Sequence, residues 1–355
     1  MIGKFVDQGW KVTLLAPADD YTEGFLSQDI VEYRELRQLQ RDTTSPLSNY
    51  SLYKELKSHY EELQPDVILH YTSKPNIFGS FAAGKLNIPN FSVITGLGYA
   101  FIRKGVLQSI IRLLYRRAAR STTQFLFENE DDLALFRDGI IPPTQGKSIK
   151  GCGVDTDHYK TEIPLPESQP TVFTFIGRLL TDKGIMEYLK AAKLAKHEFG
   201  PNVTFTIVGE VDASNPASIT KQDLQHWIEN GIIEYKGFQD DIRPEIAQSH
   251  CIVLPSYREG MPRTMMEALS MSRPVITTLV PGCREIVEEG VNGYLVEAKS
   301  AADLFEAIKK YMQLPYSKRV EMGKEGRLRA ETLFDHNKIA DEIYSIVIEQ
   351  ADIKA

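Results

Sequence analysis

The chain has 355 residues, about right for two domains of ordinary size and too many for one compact core. With 42% hydrophobic, 25% charged and 10% aromatic residues, it has the composition of a globular protein, which excludes disordered, collagen-like and coiled-coil chains. The net charge of −7 hides a segregation: Val67 to Phe127 holds no Asp or Glu but eight Lys and Arg, so the rest of the chain carries 33 basic against 48 acidic residues. One part of the protein is therefore expected to attract anions, either phosphates or an anionic membrane surface. Nucleic acid is not expected, because the aromatic and Lys/Arg interleaving of an RNA-binding sheet is missing. The longest near-apolar stretch, Phe91–Ile102, is broken by Thr95, Gly96 and Gly98 and is too short to span a bilayer. No cationic segment precedes an apolar core at the start, so no secretion signal is expected. Cys152, Cys251 and Cys283, odd in number and never spaced C-x-x-C, fit a reducing cytosol rather than a disulfide or zinc scaffold.

In chain order, Met1–Gln8 reads as the end of a helix capped by Gly9. Strands are predicted at Val12–Ala16, Asp66–His70, Phe91–Ile94, Gln124–Phe127 and Lys147–Lys150, with helices at Tyr50–Leu63 and Val106–Ala119. A second series places strands at Val172–Ile176, Val203–Val208, Ile232–Tyr235, Cys251–Leu254, Pro274–Thr277 and Gly293–Val296. The helices Ile185–Glu198, Arg243–Ala247, Arg263–Met271 and Ala301–Tyr311 fall between them. Continuous apolar strands separated by amphipathic helices form parallel sheets covered on both faces. Two such series predict an α/β protein of two Rossmann-like, doubly wound domains.

Pro164, Pro166 and Pro170 among polar residues give Thr161–Pro170 the look of a linker. The domains are accordingly set at 1–163 and 164–335, with the C-terminal helix, 336–355, packing back on the first. A doubly wound domain opens with a strand and a glycine turn, and neither is legible before Val12. The first strand is thus expected to be missing, the chain being a shortened version of one about fifteen to twenty residues longer. Its loss would strip ladder partners from Val12–Ala16 and Phe91–Ile94.

The sharpest chemical signal is LPSYREGMPRTMMEALSMSRPVI. A buried strand ends at Leu254, a polar loop carries Glu259, and Gly260, Met261 and Pro262 open a helix bearing Glu267. Free amides at that helix start suit an anion, and Pro262 suits its first turn. A carboxylate beside such a site can stabilise a developing oxocarbenium ion or fix sugar hydroxyls. The plainer alternative is pairing of Glu259 and Glu267 with Arg263 at helical spacing. The second signal is FIGRLLTDKGI, where Gly177, Arg178 and Lys183 follow a strand in one short loop. Arg offers a fork to diphosphate oxygens and Lys a point charge. The alternative there is a solvated Asp182–Lys183 pair.

These two elements, in this order, resemble the family 4 glycosyltransferases of the GT-B fold. Glu259-x7-Glu267 is similar to the family's twin-glutamate motif, and Gly177-Arg178 with Lys183 to its diphosphate clamp. IVGEVDASNPASI, IIEYKGFQDDIRPEI and PGCREIVEEGVNGYLV continue the likeness. LHYTSKPNIFGSFAA and ITGLGYAFIRKG resemble the subgroup acting on polyprenyl-diphosphate-linked sugars in capsule, O-antigen and glycoprotein assembly.

The resemblance implies a GT-B pair of domains facing across a cleft, the first binding acceptor and the second a nucleotide sugar. It implies a retaining hexosyl or N-acetylhexosaminyl transfer from a UDP-sugar to a polyprenyl-diphosphate-linked saccharide, with no metal and no cofactor. Glu267 would hold the ribose hydroxyls and Glu259 the donor sugar. Arg178 and Lys183 would hold the diphosphate, making Glu259, Lys183 and Arg178 the catalytic set. The backbone around Gly237 and Phe238 would contact the base, with Gly177, Gly260, Met261 and Pro262 completing the donor site. His70 and Lys74 would lie on the acceptor side. Asp155-Thr156-Asp157 spells the D-x-D of metal-dependent glycosyltransferases of another fold. Here it resembles the family's hinge and reads as a turn. Competing classes are a sugar-nucleotide epimerase of the same fold and a truncated nucleotide- or membrane-binding protein without turnover.

In FIRKGVLQSIIRLLYRRAARS, Leu107, Ile110, Ile111, Leu114 and Ala118 share one helical face. That face reads either as core or as one side of a cationic helix resting on an anionic bilayer. The lack of acidic neighbours favours the second reading. Arg103, Lys104, Arg112, Arg116, Arg117 and Arg120 would then face the membrane, and the protein would be cytoplasmic and peripherally attached to the inner face.

Overall fold

The computed structural model describes residues 1–18, 31–39, 45–97, 105–213, 215 and 217–351. They fall into two compact units, Met1–Gly151 with Asn337–Ala355, and Cys152–His336.

The first unit runs α1 (Ile2–Asp7), β1 (Val12–Ala16), β2 (Val31–Glu35), α2 (Pro46–Leu63), β3 (Ile68–Tyr71), α3 (Ser80–Leu86), β4 (Asn90–Ile94), α4 (Val106–Ala118), β5 (Gln124–Phe127), α5 (Glu130–Arg137) and β6 (Gly146–Ser148). All pairings are parallel: β1 with β2 in one ladder, and β3-β4-β5-β6 in another. The two ladders share their covering layers. Val12 and Leu69 lie under Phe5 and the apolar face of the C-terminal helix, formed by Ile339, Ile343 and Val347. Leu15 and Ile68 lie under Leu52, Leu56, Ala82 and Ala83 of α2 and α3. Among the described residues β1 pairs only with β2 and β3 only with β4, and both are half-buried where β4 and β5 are fully buried. Phe91–Ile94, expected to lack a partner, is instead central, bonded to β3 on one side and β5 on the other.

In the second unit β7 (Thr171–Ile176), α6 (Ile185–Phe199), β8 (Val203–Val208), α7 (Lys221–Glu229), β9 (Glu234–Gly237), α8 (Arg243–Gln248), β10 (Cys251–Leu254), α9 (Arg263–Ser270), β11 (Val275–Thr278), β12 (Gly293–Val296), α10 (Ala301–Gln313) and α11 (Tyr316–Leu333) follow in order. Its six strands form one parallel sheet, β12-β11-β10-β7-β8-β9. The chain builds outward from β7 to β9, then crosses back to β10 and builds the other way. The order reverses between β7 and β10, and in open α/β sheets ligands bind at the carboxyl ends of the strands at such a switch point. Phe173, Phe175, Phe205, Ile207 and Val253 keep β7, β8 and β10 dry, whereas edge strand β9 is exposed.

The helix α12 (His336–Gln350) returns to the first unit from Asn337 onward. The division itself falls after Gly151, not at the proline-rich stretch expected to be the linker. Val154 pairs with Asp335, Arg327 donates to the carbonyls of Thr156 and Tyr159, and buried Arg273 donates to those of Ile163 and Pro164. Tyr316 holds the Leu165 carbonyl at 2.8 Å. Residues 152–170 are thereby strapped along the second unit, their backbone carbonyls taken by the side chains of Arg273, Tyr316 and Arg327.

Candidate active site

The switch point brings the two sequence signals together. At the end of β7, Gly177 (φ 155°) turns the chain past exposed Arg178. A 3-10 turn, Thr181–Lys183, and Gly184 (φ 77°) then lead into α6. At the end of β10, Pro255–Pro262 leads into α9, with Pro262 in the N-cap position rather than inside the first turn. A Cβ on Gly184 would stand 2.0 Å from the carbonyl oxygen of Pro255, so the loops touch backbone to backbone. Tyr257 donates its N–H to the Asp182 carbonyl (2.8 Å) and its hydroxyl to Glu187 on α6 (2.8 Å).

Lys183 closes this junction. Its Nζ donates to both carboxylate oxygens of Glu259, at 2.6 and 2.8 Å, and Ser256 Oγ lies 2.5 Å from Oε1. The side chains of Lys183 and Glu259 are 24% and 11% exposed, so the pair is shielded yet open to the sheet edge. The plainer pairings form only in part: Arg263 does take Glu267 at helical spacing (3.0 Å), but Glu259 pairs with Lys183, and Lys183 with Glu259 rather than Asp182. A third loop braces the second from below. A Cβ on Gly282 (φ 83°) would lie 2.3 Å from the Gly260 carbonyl oxygen, and Glu259 N–H donates to the Pro281 carbonyl.

Glu267 sits on α9 with a nearly buried carboxyl; desolvation raises its pKa, opposed by the Arg263 guanidinium and the Tyr159 hydroxyl. Gly260, Met261 and Pro262 are buried, and Met261 packs in the core, so this segment can meet a ligand through its backbone rather than the Met261 side chain. At the end of β9, Gly237 (φ 70°) precedes Phe238, whose ring is 53% exposed. Asp155 of the D-x-D accepts the N–H groups of Asp157 and His158, which makes the motif a self-capped turn.

On the first unit Lys74 lies at the carboxyl end of β3, capping a π-helical turn, Pro75–Gly79. His70 is not available to an acceptor. It is buried at 3% exposure, its Nε2 is 2.9 Å from the Tyr60 hydroxyl, and a Cβ on Gly79 would press on it at 2.5 Å. Burial drives its pKa down to about 3, so the ring is neutral. The cause is register: in β3 side chains alternate, and His70 takes the inward position. On α4, Ile111, Leu114, Tyr115 and Ala118 face the core, whereas Val106 (79% exposed), Leu107, Ile110 and Leu113 face out. The five residues grouped on one face thus divide, Ile111, Leu114 and Ala118 going to the core and Leu107 and Ile110 to the outside. Arg112 and Arg116 donate to the carbonyls of Asp138 and Gly139, Arg117 and Arg120 are exposed, and Arg103 and Lys104 lie outside the described residues.

The arrangement places two cations and a carboxylate at one strand-end crevice, which can hold a diphosphate and oppose positive charge on an adjoining carbon. The match to known families agrees. Residues 157–329 match the family described as glycosyl transferases group 1, and residues 1–129 the family described as glycosyl transferase 4-like. The chain is a glycosyltransferase of the GT-B fold.

Relatives of this glycosyltransferase include the N,N'-diacetylbacillosaminyl-diphospho-undecaprenol alpha-1,3-N-acetylgalactosaminyltransferase of Campylobacter jejuni, 26% identical over 85% of this chain and 82% of that protein. The Escherichia coli UDP-Gal:alpha-D-GlcNAc-diphosphoundecaprenol alpha-1,3-galactosyltransferase is 28% identical over 73% of this chain and 68% of that protein. Among solved structures, Anabaena Alr3699/HepE in complex with UDP-glucose superposes with a TM-score of 0.79 at 21% identity, over 98% of this chain and 94% of that one. The sucrose-phosphate synthase of Thermosynechococcus elongatus gives 0.81 at 18% identity, over 97% and 90%. At such identities the structures speak for the fold alone. Sequence reasoning named Arg178, Lys183, Glu259 and Glu267, of which the structure joins Lys183 and Glu259, and it did not single out Ser256, Tyr257 or the glycines Gly184 and Gly282 at the same junction. The glycines beside K-G and P-G-C were the available signal.

Proposed function

We propose that this glycosyltransferase moves a hexose or N-acetylhexosamine from a UDP-sugar to a polyprenyl-diphosphate-linked saccharide, with retention and without a metal. The junction of Lys183, Glu259 and Ser256 at the switch point carries this reading, because it sets a cation for the leaving diphosphate against a carboxylate for the sugar. Arg178 adds a second cation at the same edge, and Glu267 is the candidate for the ribose hydroxyls. Both enzyme relatives above have diphospho-undecaprenol saccharides in their names, which supports the acceptor class. The outward row Val106, Leu107, Ile110 and Leu113, flanked by Arg117 and Arg120, supports peripheral attachment to an anionic membrane at its inner face.

The test is a screen of UDP-glucose, UDP-galactose and their N-acetyl derivatives against undecaprenyl-diphosphate-linked N-acetylglucosamine and its disaccharides, following UDP release and product linkage. One pair giving a retained, EDTA-resistant glycosidic product is expected. UDP-sugar epimerised without acceptor, or an inverted product, would overturn the reading.

A further inference from the structure

The hydroxyl of Ser256 is wholly buried and lies between two acceptors, Glu259 Oε1 at 2.5 Å and the Asp182 carbonyl at 3.1 Å. A serine has one proton to give. The shorter contact falls in the range of an O–H···O⁻ bond to a carboxylate, so the proton goes to Glu259. Lys183 grips the same carboxylate through both oxygens and fixes its distance from the end of β7. An ammonium is a point charge with freely rotating donors, so it leaves the carboxylate plane free to turn. The serine, wholly buried and so held in one place, supplies a fixed hydrogen bond that sets that plane.

We propose that Ser256 is a positioning residue for the donor sugar: it orients the Glu259 carboxylate so that the sugar, and not the nucleotide, gains from it. The inference rests on the reading of Glu259 as the sugar-facing carboxylate. Its reach is to specificity, because one carboxylate orientation matches one arrangement of sugar hydroxyls.

Four forms of the full chain test this: the parent, Ser256→Ala, Glu259→Gln and Thr278→Val. Calorimetry gives the affinity of each for UDP and for UDP-glucose, UDP-galactose and their N-acetyl derivatives, and the readout is the gain of the preferred UDP-sugar over UDP. Thr278→Val removes a buried hydroxyl at the end of β11 whose bond is to the Ser256 carbonyl, and it leaves the Ser256 hydroxyl in place. Ser256→Ala is expected to cut the gain about tenfold, the scale of one hydrogen bond to a charged group, with UDP affinity within twofold of the parent. Thr278→Val is expected to keep the gain. If Glu259→Gln loses the gain and Ser256→Ala keeps it, the positioning role is overturned while the reading of Glu259 stands. If Glu259→Gln keeps it, or the parent shows none, the reading of Glu259 fails and this inference with it. Equal losses in Ser256→Ala and Thr278→Val would reduce Ser256 to a structural residue.

Discussion

Gly184→Ala tests how the site is assembled, because this glycine permits two things at once. Its φ of 77° lies in the left-handed region, where a Cβ costs about 1–2 kcal/mol. The same Cβ would stand 2.0 Å from the Pro255 carbonyl oxygen and 2.6 Å from its carbon, far inside contact distance, so the loop carrying Ser256 and Glu259 must retreat. Overpacking of this kind adds about 1–3 kcal/mol. The internal control is Gly231→Ala, at φ 66° in the cap of α7 with nothing within 4 Å of its Cβ, which bears the backbone cost alone. The expected losses are about 3 kcal/mol against about 1 kcal/mol. In a unit the size of Cys152–His336, where 1 kcal/mol shifts Tm by roughly 2–4 °C, the Tm falls by about 6–12 °C against about 2–4 °C. The chain has two tryptophans, so in a Trp10→Phe background Trp227 fluorescence reports the second unit. UDP affinity should fall with Gly184→Ala and not with Gly231→Ala, since only the former pushes Glu259 away from Lys183. A Gly184→Ala protein no less stable than Gly231→Ala would show that the loops are not in backbone contact.

Arg178→Ala and Lys183→Ala should each weaken UDP binding by about 1–3 kcal/mol, measured by calorimetry; unchanged affinity in both would remove them from the site. Replacing Leu107, Ile110 and Leu113 by Ser should abolish sedimentation with anionic liposomes and leave UDP binding intact, and parent binding should fall as salt rises. His70, neutral in the fold with a pKa of about 3, takes up its proton in the unfolded chain near pH 6.5. Stability of the first unit is therefore full above pH 6.5 and declines as pH falls toward 3, by up to about 1.4 kcal/mol per unit. Urea titrations from pH 7 to 4 should show that slope in the parent and lose it in His70→Asn.

The periodicity of the chain determined most of the second unit on its own. The strands β7, β8, β10 and β11 are buried almost throughout, so each reads as an apolar run, and the loops after β7 and β10 announce themselves by glycine, proline and charge. What hydrophobic pattern cannot signal was missed. The strand Val31–Glu35 reads VEYRE and pairs at one side of a two-stranded ladder, and α11 has no apolar stripe because Gly323, Gly326 and Ala330 bury its contact face instead. Tertiary structure alone decided the rest. Lys183 and Glu259 are 76 residues apart and meet because the strand order reverses between β7 and β10, a fact of sheet topology with no local signature. The exposed row on α4 and the interior place of His70 likewise depend on which face the core claims. Composition states that a side chain is apolar or basic, but only packing states what stands against it.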